Sequence, residues 1–368
     1  MWLVLILVVS QAFRLRVASA DHRSLAEAVS PAISAAQVAP SEDPARPSFS
    51  DWLADVRTEA LSRGIRQDIV DAALSNIPEP VPTVIERDRT QAETVLSIER
   101  YLSRLLTAKL VNGAREALAK HRVLLEEVGA YYGVPPPVIV GVWGIESNFG
   151  RFSGVRPTVA ALATLAYDRR RSAFFRGELF AALEILNRGD IEVSRMRGSW
   201  AGAMGQVQFM PSSYLKFAED FDGDGTRDIW SSPADVFASI ANYLKAHGWT
   251  EGESWGREVR VSKETARTIA GTVARRDGAC QATRDMTVAL PIEEWQELGV
   301  RLPNGGRLPA DAPDAALVSG SSRHFLVYGN YDALIEYNCS HSYAIAVGLL
   351  ADRASSPPAP ASEATYRR

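Results

Sequence analysis

Cysteine is nearly absent from this chain: only Cys280 and Cys339 occur in 368 residues. Two thiols exclude a cysteine-based zinc centre and a disulfide scaffold. They can form one bridge in an oxidising compartment, or stay as two separate buried thiols. A basic excess is also lacking. Lys+Arg number 40 and Asp+Glu 44, a net charge of −4, which argues against bulk attraction to nucleic acid. The apolar run Trp2–Val9 is far shorter than the ~20 residues a membrane-spanning helix needs. No internal repeat is visible. What remains is ordinary globular composition, 46% hydrophobic and 23% charged. At roughly 150 residues per domain the length corresponds to about two domains. A mainly disordered chain, a collagen and a polytopic membrane protein are excluded.

The opening MWLVLILVVSQAFRLRVASA reads as a secretory signal peptide over residues 1–20, with Ala18-Ser19-Ala20 as cleavage site. No Lys or Arg precedes its apolar run, so a misplaced start or an uncleaved anchor stays open. No cysteine lies near the cleavage point, so the expected product is not a lipoprotein. Residues 21–48 are rich in Ala, Ser and Pro, a linker composition.

From Phe49 to Leu125 the pattern is mostly helical. Arg87 to Leu110 reads as one longer amphipathic stretch, separated from the first helices by Pro78, Pro80 and Pro82. Pro135 to Gly248 is again helix-rich. After Arg257 the texture changes to the short runs EVRVS, ALVSG and HFLVY around LPNGGRLPADAP, which predicts a small β-containing insertion. SYAIAVGLL returns to helix. Residues 353–368 have the composition of a disordered tail.

The segment GVPPPVIVGVWGIESNFGRFSG is the most informative. Prolines 135 to 137 suit a helix start. Val138, Ile139, Val140, Val142, Trp143 and Ile145 then make the helix apolar on nearly every side, so it is expected to be buried. It ends in Glu146, with Gly150 as the expected stop. Desolvation and the negative end of the helix dipole both disfavour a charged carboxyl there. An acid still protonated near neutral pH suits general-acid attack on a glycosidic oxygen. An ordinary helix-end hydrogen bond fits the same spacing.

A second segment, SWAGAMGQVQFMPSSYLKF, combines Ala201, Gly202, Ala203 and Gly205 with Gln206, Gln208, Trp200, Phe209 and Tyr214. Small residues allow close approach of a polysaccharide, amides serve hydroxyl and N-acetyl groups, and aromatics stack on sugar faces. A glycine-rich packing turn is the plainer reading.

GIESNFGR, then GSWAGAMGQVQFMPSSY, then ANYLKAHGW resembles, in that order, the membrane-bound lytic transglycosylase B family of bacterial peptidoglycan lyases. The likeness runs from about Phe49 to Leu350. It implies a mainly α (α+β) fold: a helical domain over 49–134, a lysozyme-like core over 135–256, a β-containing insertion over 257–324 and a return to the core over 325–352. It implies that Glu146 is the sole acid/base, protonating the leaving oxygen between N-acetylmuramic acid and N-acetylglucosamine. Glu146 then takes the proton of the muramoyl 6-hydroxyl, which closes a 1,6-anhydro ring without water. Most glycosidases need two carboxylates for this bond. By position, Ser199 would hold the glycan, and Gln208, Tyr243, Tyr337 and Asn338 would line the cleft. Arg170 and Arg171 fall where a basic pair would meet the anionic stem peptide, or form a solvated helix face. The resemblance further implies a periplasmic monomer acting on glycan strands, with cell-wall synthases as candidate partners.

The loop Asp220-Phe-Asp222-Gly-Asp224-Gly225-Thr226 matches the first half of an EF-hand, with a Ser rather than Glu at the twelfth position. The family's lengthened loop points to Asp235 as the closing ligand of a structural calcium ion. A solvated acidic turn is the alternative, and the chemistry requires no cofactor. His121, His247, His324 and His341 are scattered and read as structural. Two rival functions remain: a muramidase that hydrolyses the same bond with water, and a non-catalytic wall-glycan-binding protein.

Overall fold

The computed structural model describes residues 47–90, 96–168 and 170–356. The expected signal peptide, most of the linker and the end of the tail lie outside the described residues. Helices α1 (Phe49–Ser62), α2 (Gln67–Leu74), α3 (Pro82–Thr90), α4 (Ile98–Leu105), α5 (Ala108–Lys120), α6 (Arg122–Tyr132) and α7 (Pro136–Ser147) come first. Strand β1 (Arg156–Pro157), α8 (Thr158–Tyr167), α9 (Ser172–Arg188) and β2 (Arg197–Gly198) follow. Then come α10 (Pro211–Phe217) and α11 (Pro233–Ala246). The insertion holds β3 (Gly256–Val259), α12 (Lys263–Thr272), α13 (Gln281–Asp285), α14 (Ile292–Glu297), β4 (Ala316–Ser319) and β5 (His324–Val327). Helices α15 (Gly329–Tyr337) and α16 (His341–Ser355) complete the fold. It is mainly α with few strands, as expected.

The stretch Arg87–Leu110 is not one helix. Ser97 and Thr107 each restart the chain as N-caps, their hydroxyls accepting from Arg100 N and Leu110 N at 3.3 Å. Local capping by Ser and Thr therefore overrides the continuous amphipathic spacing. The helix expected to end at Leu350 continues to Ser355, so part of the predicted tail is ordered.

One hydrophobic core joins α1 through α11 with α15 and α16. Helix α7 lies inside it, packed on α16, α5, α11 and α6. At Gly141 a Cβ would come within 3.0 Å of the Val347 carbonyl, so glycine here sets the close approach of α7 to α16. The insertion has its own core around fully buried Trp295, whose indole donates to the Ala315 carbonyl at 2.8 Å. Its sheet has the order β3-β5-β4, all antiparallel, with Gly256 opposite Val327. Strand β5 is the middle strand, pairing with β3 and β4 through Val327. Helices α12 to α14 between its strands went unforeseen. Cys280 and Cys339 form a disulfide that ties the insertion to the turn between α15 and α16. Arg276 adds a two-fold pairing with Asp332 at 2.7 and 2.8 Å.

Candidate active site

Pro135 and Pro136 begin α7, where the missing donors cost nothing. The helix stops at Asn148 rather than Gly150. Asn148 adopts φ +50° and its N–H donates to the Gly144 carbonyl at 3.0 Å. Asn tolerates the left-handed region because its side chain can bond locally. Phe149 follows at φ +59°, folding its ring back over Gly113 and Gly144, where a Cβ would lie only 2.7 and 2.6 Å away. Glu146 thus sits in the last turn of a helix whose other faces are packed.

Burial pushes the Glu146 carboxyl up to about 7. The residue nonetheless keeps partial exposure, so the desolvated carboxyl has an opening to the outside. The Tyr343 hydroxyl opposes the rise by favouring the charged form. That hydroxyl completes no hydrogen bond of full geometry among the described residues, yet it lies near enough to feel the carboxyl. The phenols of Tyr101 and Tyr337 lie in the same field. No other acid contributes to the Glu146 shift among the described residues.

The glycine-rich loop forms the facing wall. Strand β2 pairs with β1, and isolated bridges join Gly198 to Met204 and Met204 to Phe209. Ser199 is buried, and its hydroxyl oxygen accepts from Ala201 N and Ala203 N at 3.3 and 3.1 Å. Its lone pairs hold the turn, which leaves one O–H to donate. Gln208 adopts φ +54°, donates through Nε2 to the Gly205 carbonyl at 2.8 Å, and leaves Oε1 buried without a partner among the described residues. A ligand N–H or O–H would satisfy that oxygen.

Tyr337 donates to the Val207 carbonyl at 2.8 Å, and Tyr243 to the Glu336 carbonyl at 2.8 Å. Their rings are 4.7 Å apart, and Phe209 completes the cluster at 5.4 Å from Tyr243 and 5.8 Å from Tyr337. Buried Asn338 adjoins Tyr337 and Cys339 at the end of α15. Arg170 and Arg171 directly precede α9. Both are ion-paired with Asp88 of α3, whose side chain is only 6% exposed. Tyr101, Tyr343 and Asp88 escaped sequence reasoning. Each is distant in sequence from its partner, and only the fold brings them together.

The acidic loop brings three of its four expected carboxylate ligands together. One oxygen each from Asp220, Asp222 and Asp235 lies within 4.8 Å of the others. Asp224 is outside this group, its Oδ1 accepting from Thr226 N and Oγ1 at 2.8 and 2.7 Å. Asp220 Oδ1 is buried without a partner among the described residues. Desolvation raises Asp235 to about 6; the Phe221 and Asp228 amides counter it, while Asp222 and Asp220 add to it. An orphaned carboxylate oxygen among crowded like charges fits a hard cation such as calcium.

The fold is mainly α and lysozyme-like, and it carries a desolvated carboxyl at a helix end, near three tyrosine phenols. The chain belongs to the transglycosylase SLT domain family, whose model matches residues 48–352. It is 41% identical over 155 residues to membrane-bound lytic murein transglycosylase B of Escherichia coli (strain K12), a match spanning 42% of this chain and 43% of that protein. It is similar to SltB3 from Pseudomonas aeruginosa in complex with NAG-anhNAM-pentapeptide, with 42% identity and TM-score 0.75 over 83% of this chain and 79% of that one. It is also similar to the Escherichia coli lytic transglycosylase Slt35 in complex with calcium, with 27% identity and TM-score 0.69 over 85% of this chain and 94% of the other.

Proposed function

We propose that this protein is a lytic transglycosylase of peptidoglycan. It cleaves the β-1,4 bond between N-acetylmuramic acid and N-acetylglucosamine and leaves a 1,6-anhydro-muramoyl end. Glu146, protonated near neutral pH, gives its proton to the leaving oxygen. As carboxylate it then accepts the proton of the muramoyl 6-hydroxyl, whose oxygen attacks the anomeric carbon. Proton and oxygen balance without water. Ser199, Gln208, Tyr243, Tyr337 and Asn338 hold the glycan.

The observation that carries this reading is the desolvated Glu146 carboxyl at the end of α7, on which no second acid acts among the described residues. A hydrolase would carry a second carboxylate at roughly 5 to 9.5 Å, and like charge at that range would raise Glu146 further. This favours the lyase over the muramidase. The family relation to a lytic murein transglycosylase and to an SltB3 complex with a peptidoglycan fragment supports the substrate class. The same relation supports action on glycan strands in the periplasm; wall synthases as partners and a monomeric working form belong to the proposal. Among the described residues no single helix is long and apolar enough to cross a membrane.

Asp220, Asp222 and Asp235 would hold a structural calcium ion, which bound there would neutralise the carboxylates and fix the loop before α11. Glu146→Gln tests the assignment. It abolishes release of wall fragments while circular dichroism stays that of the parent, and unchanged release would remove the assignment.

A further inference from the structure

Two links leave the insertion and land beside the phenols that surround Glu146. The first is covalent. Cys280 directly precedes α13 of the insertion, and its disulfide partner Cys339 lies in the turn between α15 and α16. Tyr337 stands two residues before Cys339 and Tyr343 four after it. Their buried rings stack 6.3 Å apart, and both phenols lie in the field of the Glu146 carboxyl. Ser340 caps α16 by accepting from Tyr343 N at 3.4 Å, so the turn held by the bridge also sets where that helix starts. At the other end of α15, Arg276 of the insertion grips Asp332.

The second link is a carboxylate. Glu99, in the first turn of α4, accepts through Oε1 from the Ser322 and Arg323 amides at 2.7 and 3.1 Å. Those amides belong to the turn between β4 and β5, where a Cβ at Gly320 would come within 2.4 Å of the same oxygen. The turn is therefore shaped to receive this side chain. Burial raises Glu99, but the backbone amides outweigh it and hold the carboxyl down at about 2, so it stays ionised at neutral pH. Tyr101 stands two residues further along α4, buried in the field of Glu146. Helix α16 packs on both α4 and α7, so the two gripped elements meet beside the helix that carries Glu146. The insertion has a core of its own, which lets it hold both as one body.

We infer that the insertion is a brace for the reacting site: through Cys280–Cys339 and Glu99 it positions the phenols of Tyr343, Tyr337 and Tyr101 around the Glu146 carboxyl. The two cysteines and Glu99 are positioning residues that act through these tyrosines. This rests on the reading of Glu146 as the reacting acid.

The carbon-13 shift of the Glu146 carboxyl, assigned with Glu146→Gln, reports its acid constant in the full-length protein without turnover. Tyr343 favours the ionised form, Tyr101 and Tyr337 face it as neutral phenols, and no charge on α5, α6 or α11 contributes to its shift among the described residues. Cys280→Ser with Cys339→Ser is expected to weaken the acid about threefold, in the direction of Tyr343→Phe, and all three changes together to weaken it no further than Tyr343→Phe alone. Glu99→Ala is expected to lower kcat for release of wall fragments about tenfold through misplacement of Tyr101. Glu99→Gln, whose amide oxygen still accepts both N–H groups, restores most of it. Each variant is read where its circular dichroism matches the parent, and the Glu99 pair decides by itself if the cysteine variant does not fold. An unmoved acid constant in the folded cysteine variant, or cysteine and Tyr343 effects that simply add, overturns the brace. So does a parental kcat in Glu99→Ala, or one that Glu99→Gln fails to restore. If Glu146→Gln releases fragments like the parent, the reading of Glu146 as the reacting acid falls instead, while the carbon-13 titration still decides what the bridge positions.

Discussion

Trp143 donates its indole N–H to Gln206 Oε1 at 2.8 Å, in the interior of the protein. The same Gln206 amide donates through Nε2 to the Trp230 carbonyl at 2.7 Å. One buried side chain therefore links the helix that carries Glu146, the glycine-rich wall and the end of the acidic loop. At Gly150 a Cβ would come within 2.4 Å of Gln206 Oε1, so the turn after Glu146 closes directly over this strut.

Trp143→Phe removes the donor and leaves a buried amide oxygen unpaired. A loss of about 1–3 kcal/mol is expected from the unsatisfied group, with some further loss from the smaller ring. Urea unfolding reads it directly. An unchanged midpoint would mean that the strut contributes nothing to stability.

The raised Glu146 carboxyl sets the pH behaviour. As general acid it must be protonated in the free enzyme, so kcat/KM falls above pH of about 7, tending to tenfold per pH unit. Tyr343 favours the ionised form, so Tyr343→Phe moves this limb upward. A basic limb that stays in place in Tyr343→Phe would remove the tyrosine from the account. Stability is linked with the opposite sense from a salt-bridged acid. The folded state holds the proton more tightly than the unfolded one, so the group lowers stability as pH climbs from the ordinary carboxylate value of 4.5 to about 7. Glu146→Gln is therefore expected to match the parent at pH 4 and exceed it at pH 8, by on the order of 1–3 kcal/mol.

Calcium at a hundredfold excess over Kd is expected to stabilise the fold by ~2.7 kcal/mol. A chelator reverses this, and Asp220→Asn abolishes it. Because Asp235 is raised to about 6, protons compete with the cation, and affinity weakens as pH falls through that value. Melting temperatures with calcium and with chelator at pH 7.5 check the claim. Coincident melts would make the loop an acidic turn only.

The disulfide joins positions 59 residues apart. Closing a loop of that length in the unfolded chain corresponds to about 4 kcal/mol on the chain-entropy account, with 2–5 kcal/mol the usual range. Cys280→Ser with Cys339→Ser should lower stability accordingly in chemical unfolding under non-reducing conditions. A difference below about 1 kcal/mol would mean that the surrounding contacts, led by Arg276 and Asp332, already hold the insertion.

Much of this was legible in the sequence because it is local. The all-apolar course of α7 and its proline start depend on neighbours within one helix. The runs ALVSG and HFLVY hold β4 and β5 for the same reason, while β3 takes only Glu258 and Val259 of EVRVS and begins at Gly256. What escaped depends on distant partners or on competing local signals. Ser97 and Thr107 cut an amphipathic stretch that periodicity alone reads as continuous. Asp88 meets Arg170 and Arg171 only because α3 packs near the start of α9. Tyr343, at the start of a helix nearly two hundred residues after Glu146, carries no motif of its own. The left-handed Asn148 displaced Gly150 as helix stop because Phe149 must turn back over α5 and α7.

The most direct test is mass spectrometry of the muropeptides released from purified sacculi by the full-length protein. The account predicts that every new glycan end is 1,6-anhydro-N-acetylmuramic acid, that none carries oxygen from labelled water, and that Glu146→Gln releases nothing. New reducing-end N-acetylmuramic acid bearing the water label would contradict it and make the protein a hydrolase.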